Sequence, residues 1–484
     1  MSSSSEKFVN LDKNCSEINR ILQQTSNVAN MNGGKSQQQQ NQILQQQQQQ
    51  EQALFKSNDG FTIAIKLLEL ICQSPHDLNH YSGISTKTPI NLINLIINAS
   101  RNNFEACIDL ILTNKLFSLL EILNIHSNIM LSELTPNELG GGAGANKKNH
   151  ISIEWFVCSS LIQLIASLFT ILNNESSLSE NNSALIQRAN DLISLMTSYG
   201  LLDNLSVFFI NIRGPLDDEL QTVEILNNCL NFLLSITKFL AQKKTLDIFS
   251  PRKTEDNTQL ISTIKATNLV NIISMLYGML HKDASTTPVK FATTNVKKQT
   301  LTTLELTKLS LKLLNQMIVL DLNMVQNLLG EECLSLQLRH ISSYLIWYLN
   351  LNSNNSSTNG NITQTNVNNL TNIKCEEVLH EIILLIGYFT VLNEENQVKI
   401  ELGTPPTILQ QLCNLSFKYF SDKKLILVLY PTLICSCFNN EKNKCVLTSE
   451  LSAETLANFI QEKISQEAKQ QSNTNSLGIE GYYF

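Results

Sequence analysis

The chain has 484 residues, more than one ordinary core accommodates, and no change of pattern divides it into dissimilar halves. Hydrophobic residues make up 43% and charged ones 16%, with nine prolines and little period-two alternation, so the apolar periodicity reads as helix and no sheet is expected. A net charge of −7 argues against the clustered Lys and Arg that hold phosphate backbones, and no direct nucleic-acid binding is expected.

In chain order, residues 1–7 read as a disordered start. The apolar period then predicts helices at 8–26, 53–73, 89–112, 115–131, 151–172, 183–211, 217–242, 258–281, 299–320, 333–350, 374–392, 405–418, 422–438 and 449–466, and a flexible tail over 467–484. Four low-complexity stretches interrupt them: Gln-rich 32–52, Gly-rich 135–150, Thr/Lys-rich 282–298 and Asn-rich 351–372. Such segments bury too little apolar surface to offset the entropy of ordering, so they read as inserted loops without function. The run WFVCSSLIQLIASLFTIL at 155–172 carries no charge. A membrane span needs about 20 predominantly apolar residues, and Ser159, Ser160, Gln163 and Ser167 dilute this one. A buried repeat helix is expected there, with a span over 155–172 as the alternative, so that membrane association is at most peripheral. Eleven cysteines are scattered mostly singly through apolar helical context, and MSSSSEKFVNLDKN has no apolar core that would make it a signal peptide. A reducing, cytoplasmic setting with free buried thiols is expected.

Residues 379–412 read LHEIILLIGYFTVLNEENQVKIELGTPPTILQQL. A long apolar run meets Asn396, a short turn stops at Gly403 before Pro405 and Pro406, and Ile408, Leu409 and Leu412 restart a period of about 3.6. The order is helix, short helix, sharp turn, helix. In NMVQNLLG, Asn323 precedes Gly330 by the offset that separates Asn396 from Gly403. In NKCVLTSELSAETLANFI, Leu447, Leu456 and Phe459 follow Asn443 as Ile400, Leu409 and Leu412 follow Asn396. With the Asn-rich insert discounted the intervals are close to the roughly 40–47 residues of HEAT and armadillo units. The expected fold is therefore all-α, an armadillo/HEAT-like α-solenoid of helical repeats over 8–466, with Asn323, Gly330, Asn396, Gly403 and Asn443 at the repeat joints. Stacking such units leaves one extended curved surface for a partner.

Chemistry is sparse along the chain. His340, His380 and Cys375 lack the close pairing of zinc ligands, and Cys435 and Cys437 point apart on a helix, so no metal is expected. No Gly-x-Ser-x-Gly elbow and no phosphate loop is present, and GGGAGANKK follows no strand. Glu376 with Glu377, Glu394 with Glu395, and Asp217 with Asp218 lie at helix starts, where they complement the dipole. No catalytic residue and no cofactor is expected, and the chain reads as not an enzyme. On the helix at 333–350, Tyr344, Trp347 and Tyr348 share a face, with Arg339 and His340 a turn or more back. Two readings stand for these five residues: a core face with the tyrosine hydroxyls satisfied, or a protein-binding groove with Tyr, Trp and Arg as anchors.

Residues 300–466, above all QLRHISSYLIWY, GYFTVLNEENQ, YFSDKKLI and FNNEKNK, resemble the C-terminal region of the family of S-phase cyclin A-associated proteins in the endoplasmic reticulum. Upstream the resemblance is fainter and rests on EINRIL and DGFTIAIKLLELI. The family's longer members also carry an N-terminal conserved segment, charged coiled-coil regions and a C2H2-type zinc finger, none of which is read in this chain. The resemblance implies an adaptor that binds proteins, with cyclin A or ribosome-associated and mRNA-decay factors as partners, at the endoplasmic reticulum surface, in cell-cycle regulation or the decay of tubulin messages. Peptide-binding armadillo proteins place an Asn eight residues before the position of Asn396. Here that residue is Tyr388, although Asn315 before Asn323 and Asn19 before Asn27 fit. No regular asparagine ladder is expected.

Overall fold

A computed structural model describes residues 13–20, 48–72, 87–134, 153–174, 183–212, 219–247, 271–281, 299–355, 365–452 and 454–462, with a few single residues besides. Among the described residues regular structure is helical throughout. After helical residues at 13–20 and 48–57, the chain forms α1 (Gly60–Cys72), α2 (Thr88–Ser100), α3 (Phe104–Leu112), α4 (Lys115–Leu134), α5 (Ile153–Asn174), α6 (Ser183–Ser198), α7 (Leu201–Asn211), α8 (Leu220–Asp247) and α9 (Asn271–His281). There follow α10 (Leu301–Leu320), α11 (Leu322–Gly330), α12 (Glu332–Asn355), α13 (Thr365–Thr390), α14 (Glu394–Lys399), α15 (Ile408–Cys413), α16 (Lys418–Ser421), α17 (Lys423–Cys437) and α18 (Glu441–Glu450).

Local chemistry explains where the helices break. The predicted helix 89–112 is two, because Asn102 turns into the left-handed region at φ 55° and the Asn103 side chain accepts from the Ala106 N–H to start α3. Likewise 183–211 divides at Gly200, with φ 72°. The apolar period runs on through both breaks, so periodicity alone does not register them. Two short helices, α11 and α18, fall where the expected helices leave a gap, α18 overlapping only the first two residues of the helix expected at 449–466.

Two of the expected inserts are smaller than predicted. Residues 48–52 of the Gln-rich stretch belong to a helix, with Gln48 and Gln52 buried. α12 runs on to Asn355 and α13 starts at Thr365, which leaves only 356–364 of the Asn-rich insert outside the described residues. Residues 1–7, 135–150, 282–298 and the tail 467–484 also lie outside them.

The chain divides into two compact units, Met1–Met275 and Leu276–Phe484. In the first, α5 is the central helix, packed against α8, α4 and α2. Leu161, Leu164 and Leu172 are fully buried, and Phe169 meets Phe239 edge-on at 5.4 Å. Each such side chain contributes about 1.5–3 kcal/mol by leaving water. Glu154–Asn174 is long and apolar enough to cross a membrane, and 67% of its most apolar window is buried against the rest of the unit. In the second unit the central helix is α13, packed against α10, α12 and α17. The side-chain register makes α10, α13 and α17 parallel. Lys308 pairs with Glu377 and Asn315 with Glu381; further on, Thr432 reaches the Ile383 carbonyl and Ser436 meets Thr390.

Candidate functional site

One polar device recurs where a long helix ends. The side-chain amide of Gln397, in α14, donates to the carbonyls of Cys435 and Phe438 at the end of α17 (2.9 and 3.0 Å). Gln326, in α11, does the same to Tyr388 and Val391 at the end of α13 (2.7 and 2.8 Å). In the first unit Gln52 holds Asn98 and Arg101 at the end of α2 (3.0 and 2.9 Å). The last turn of a helix has carbonyls without intrahelical donors, and these glutamines supply them from another helix. Beyond each end comes a residue with positive φ, Asn102, Leu392 or Asn439 at 51–56°, and then an asparagine, Asn103, Asn393 or Asn440, that caps the next helix. A second amide closes the joint in the second unit. Asn396 donates to the Gln326 and Phe389 carbonyls, and Asn443 to the Gln397 and Ser436 carbonyls.

The predicted joint residues therefore divide. Asn396 and Asn443 are 2% and 1% exposed and occupy equivalent places, each three residues inside a short helix rather than at its start. Asn323 is exposed on α11; Asp321 caps that helix, so the offset that paired Asn323 with Asn396 is out of register. Gly330 ends α11 against the Asn396 side chain, so close that a Cβ there would lie 2.8 Å from Oδ1. Gly403 has φ +118°, a conformation that side chains resist. Sequence reading missed the glutamines because their partners lie tens of residues away. The signal that was available is the pair N-E-E-N at 393–396 and N-E-K-N at 440–443.

The five aromatic-stripe residues are largely spoken for. Tyr348 is 2% exposed and its hydroxyl accepts the Gln299 backbone N–H at 2.8 Å, while the half-buried Tyr344 takes the Gln299 side-chain amide at the same distance. The two rings stack at 5.7 Å, with half-buried Trp347 tilted against Tyr344. Arg339 donates to the Leu402 carbonyl at 2.8 Å, beside Gly403, so it ties α12 to the turn that follows α14. His340, largely exposed, stacks on Tyr277 at 6.0 Å, and partial desolvation with the Arg339 charge holds its pKa below the ordinary imidazole value. Asn315 spends its amide on the Glu381 carbonyl and carboxylate, and Asn19 on the Asn91 carbonyl, so neither presents that group to a ligand backbone. Among the described residues no group of three His, Cys, Asp or Glu converges as a metal site. Burial pushes the thiols of Cys72, Cys107, Cys158, Cys413 and Cys437 up to about 12, away from nucleophilic thiolate.

A site that the sequence did not single out lies across the parallel helices of the second unit. A trench of about 390 Å³ is lined by Val319 of α10, Leu384, Gly387 and Tyr388 of α13, and Leu427 and Pro431 of α17. Val319, Leu384 and Leu427 are 45%, 37% and 50% exposed, a row of aliphatic side chains in water. Gly387 lets α13 and α17 close the floor, since a Cβ there would lie 2.6 Å from Thr432 Oγ1. Pro431 has no N–H, which leaves the Leu427 carbonyl without its intrahelical donor.

The chain is similar to a human protein, "S phase cyclin A-associated protein in the endoplasmic reticulum", at 29% identity over 472 residues. The match covers 93% of this chain, so it extends well upstream of 300, where the sequence reading found only a faint resemblance. It takes in 30% of the relative's length. No family model matches the chain.

Proposed function

We propose that the chain is a non-enzymatic, armadillo-like helical scaffold that binds other proteins. The observation that carries this reading is the recurring joint, in which glutamine and asparagine amides lock one helix end to the next. Repeated joints of this kind suit units that stack and offer a long surface. The similarity to a protein whose name records association with cyclin A and the endoplasmic reticulum adds support, and the part shared with it is a minority of that protein's length. Cyclin A, or the ribosome-associated and mRNA-decay factors that the resemblance implies, are the partners to try first, with the chain at the cytoplasmic face of that membrane. α5 serves as a core helix in this reading, because its apolar face is covered by α2, α4 and α8.

Affinity purification of the tagged, cross-linked chain, followed by reconstitution with each purified candidate, tests the proposal. Saturable, stoichiometric complexes are the expected result. Recovery of the chain alone from cells, together with no complex at any concentration of the candidates, would overturn it. Carbonate extraction separates the membrane-span alternative, since an integral α5 stays with the membrane pellet and a scaffold is released.

A further inference from the structure

We propose that the trench across α10, α13 and α17 receives an acidic amphipathic helix from a partner protein. This inference rests on the interaction reading and assigns it a site and a partner chemistry.

The trench excludes an extended peptide by its lack of hydrogen-bonding groups. Of its lining side chains, the Thr432 hydroxyl is committed to the Ile383 carbonyl at 3.0 Å, the Tyr388 hydroxyl is a single group, and the others are aliphatic, thiol or glycine. The backbone of an extended segment buried there would leave most of its N–H and C=O groups without partners, which is costly. A helix satisfies its own backbone and presents only an apolar face. Asn315, the residue best suited to hold a peptide backbone, donates instead to Glu381. The spacing also fits. Neighbouring packed helices lie about 8–10 Å apart, close to two turns of a helix laid across them, so Val319, Leu384 and Leu427 meet positions about seven residues apart. Charge sets the sign of the partner. Lys312 lies two turns before Val319 on the same face of α10, and Lys424 one turn before Leu427 on α17; both are exposed, and neither is within ion-pair distance of a carboxylate among the described residues. Between them, Glu377 is neutralised by Lys308 and Lys374, while Glu381 keeps its charge with the neutral Asn315 amide on it, and Asp422 couples to Lys424 from the start of α17. Carboxylates along one flank of the incoming apolar stripe, the side that faces the N-terminal ends of α10 and α17, would answer the two lysines.

The test uses the full chain and a displayed library of peptides about 20 residues long, with apolar residues fixed at helical spacing and the other positions free. Enrichment of Asp and Glu beside the stripe is expected. A synthetic peptide of the selected sequence should bind the wild-type chain and lose about tenfold or more in affinity on Leu384→Glu. Lys312→Glu and Lys424→Glu should each weaken it several-fold and flatten its salt dependence. A proline in mid-peptide should abolish binding. Leu427→Glu serves where Leu384→Glu shifts the thermal midpoint. Enrichment of basic or proline-rich sequences, or no enrichment, overturns the assignment. Peptides that bind Leu384→Glu as well as wild type overturn the trench and leave the scaffold reading standing, whereas loss of the scaffold reading shows in the reconstitution above. A concentration-dependent dimer that Leu384→Glu dissolves would give the trench to a second copy of this chain, and the proposal would fall.

Discussion

The face of α12 that carries Tyr344, Trp347 and Tyr348 and the trench across α10, α13 and α17 belong to the same unit and differ in how their side chains are covered. The aromatic face admits a core or an interface reading in sequence; Gln299 closes over its hydroxyls, Tyr348 is inside, and Tyr344 and Trp347 are half-buried. The aliphatic row looks like core, yet it is half in water. Composition of a helix face therefore does not decide its exposure; what decides it is whether another segment supplies polar partners for the hydroxyls or bulk for the aliphatics.

The largest effect should come from the aromatic side. Tyr348→Ala removes a buried ring and should cost about 3–5 kcal/mol in denaturant unfolding, and a loss under about 1 kcal/mol would make the stripe a surface after all. Next comes the joint. Gln397→Ala strips donors from the Cys435 and Phe438 carbonyls and should cost about 1–3 kcal/mol, measurable as a lowered thermal midpoint. A pH series addresses the end of the trench. His380, one turn before Leu384, has its pKa lowered mainly by burial, with Glu376 opposing and Lys418 assisting, and its Nε2 has no hydrogen-bond partner among the described residues. The fold thus excludes a proton that the unfolded chain binds below about pH 6.5, so stability is full above that value and falls as the pH drops through it. The slope of thermal midpoint against pH between 7.5 and 5.5 should shrink in His380→Gln. The smallest effect is expected for Leu427→Ala, about 1 kcal/mol or less, because half of the side chain is already in water. A loss of 2 kcal/mol or more would mean that the row is core and would erase the contrast.

Much of the helical plan was legible from period and caps. α10, α12 and α17 begin within two residues of where the spacing places them, and the order of helix, short helix and sharp turn over 379–412 is that of α13, α14 and the turn before α15. Less legible was which of several asparagines does what. Asn393 and Asn396 are three apart; one caps by a local bond and the other reaches residue 326, a partner that no local pattern announces. Gln52 was harder still, because a tract of glutamines hides the single one whose amide is built into a joint. The trench was invisible for a different reason. Val319, Leu384 and Leu427 continue the apolar period of their helices, and what distinguishes them is their exposure, with no covering element over them among the described residues.

The joints also have a direction. In each one the glutamine precedes in sequence the helix end it holds: Gln52 before α2, Gln326 before α13, Gln397 before α17. Shortening the chain from its start therefore strips donors from a helix that remains, whereas shortening it from its end, just after α14, leaves the glutamine donors of every retained helix end in place, even though it uncovers the face of α13 against which α17 packs. Fragments cut from the two sides should behave unequally, and expression boundaries are best drawn by keeping every glutamine whose helix is retained.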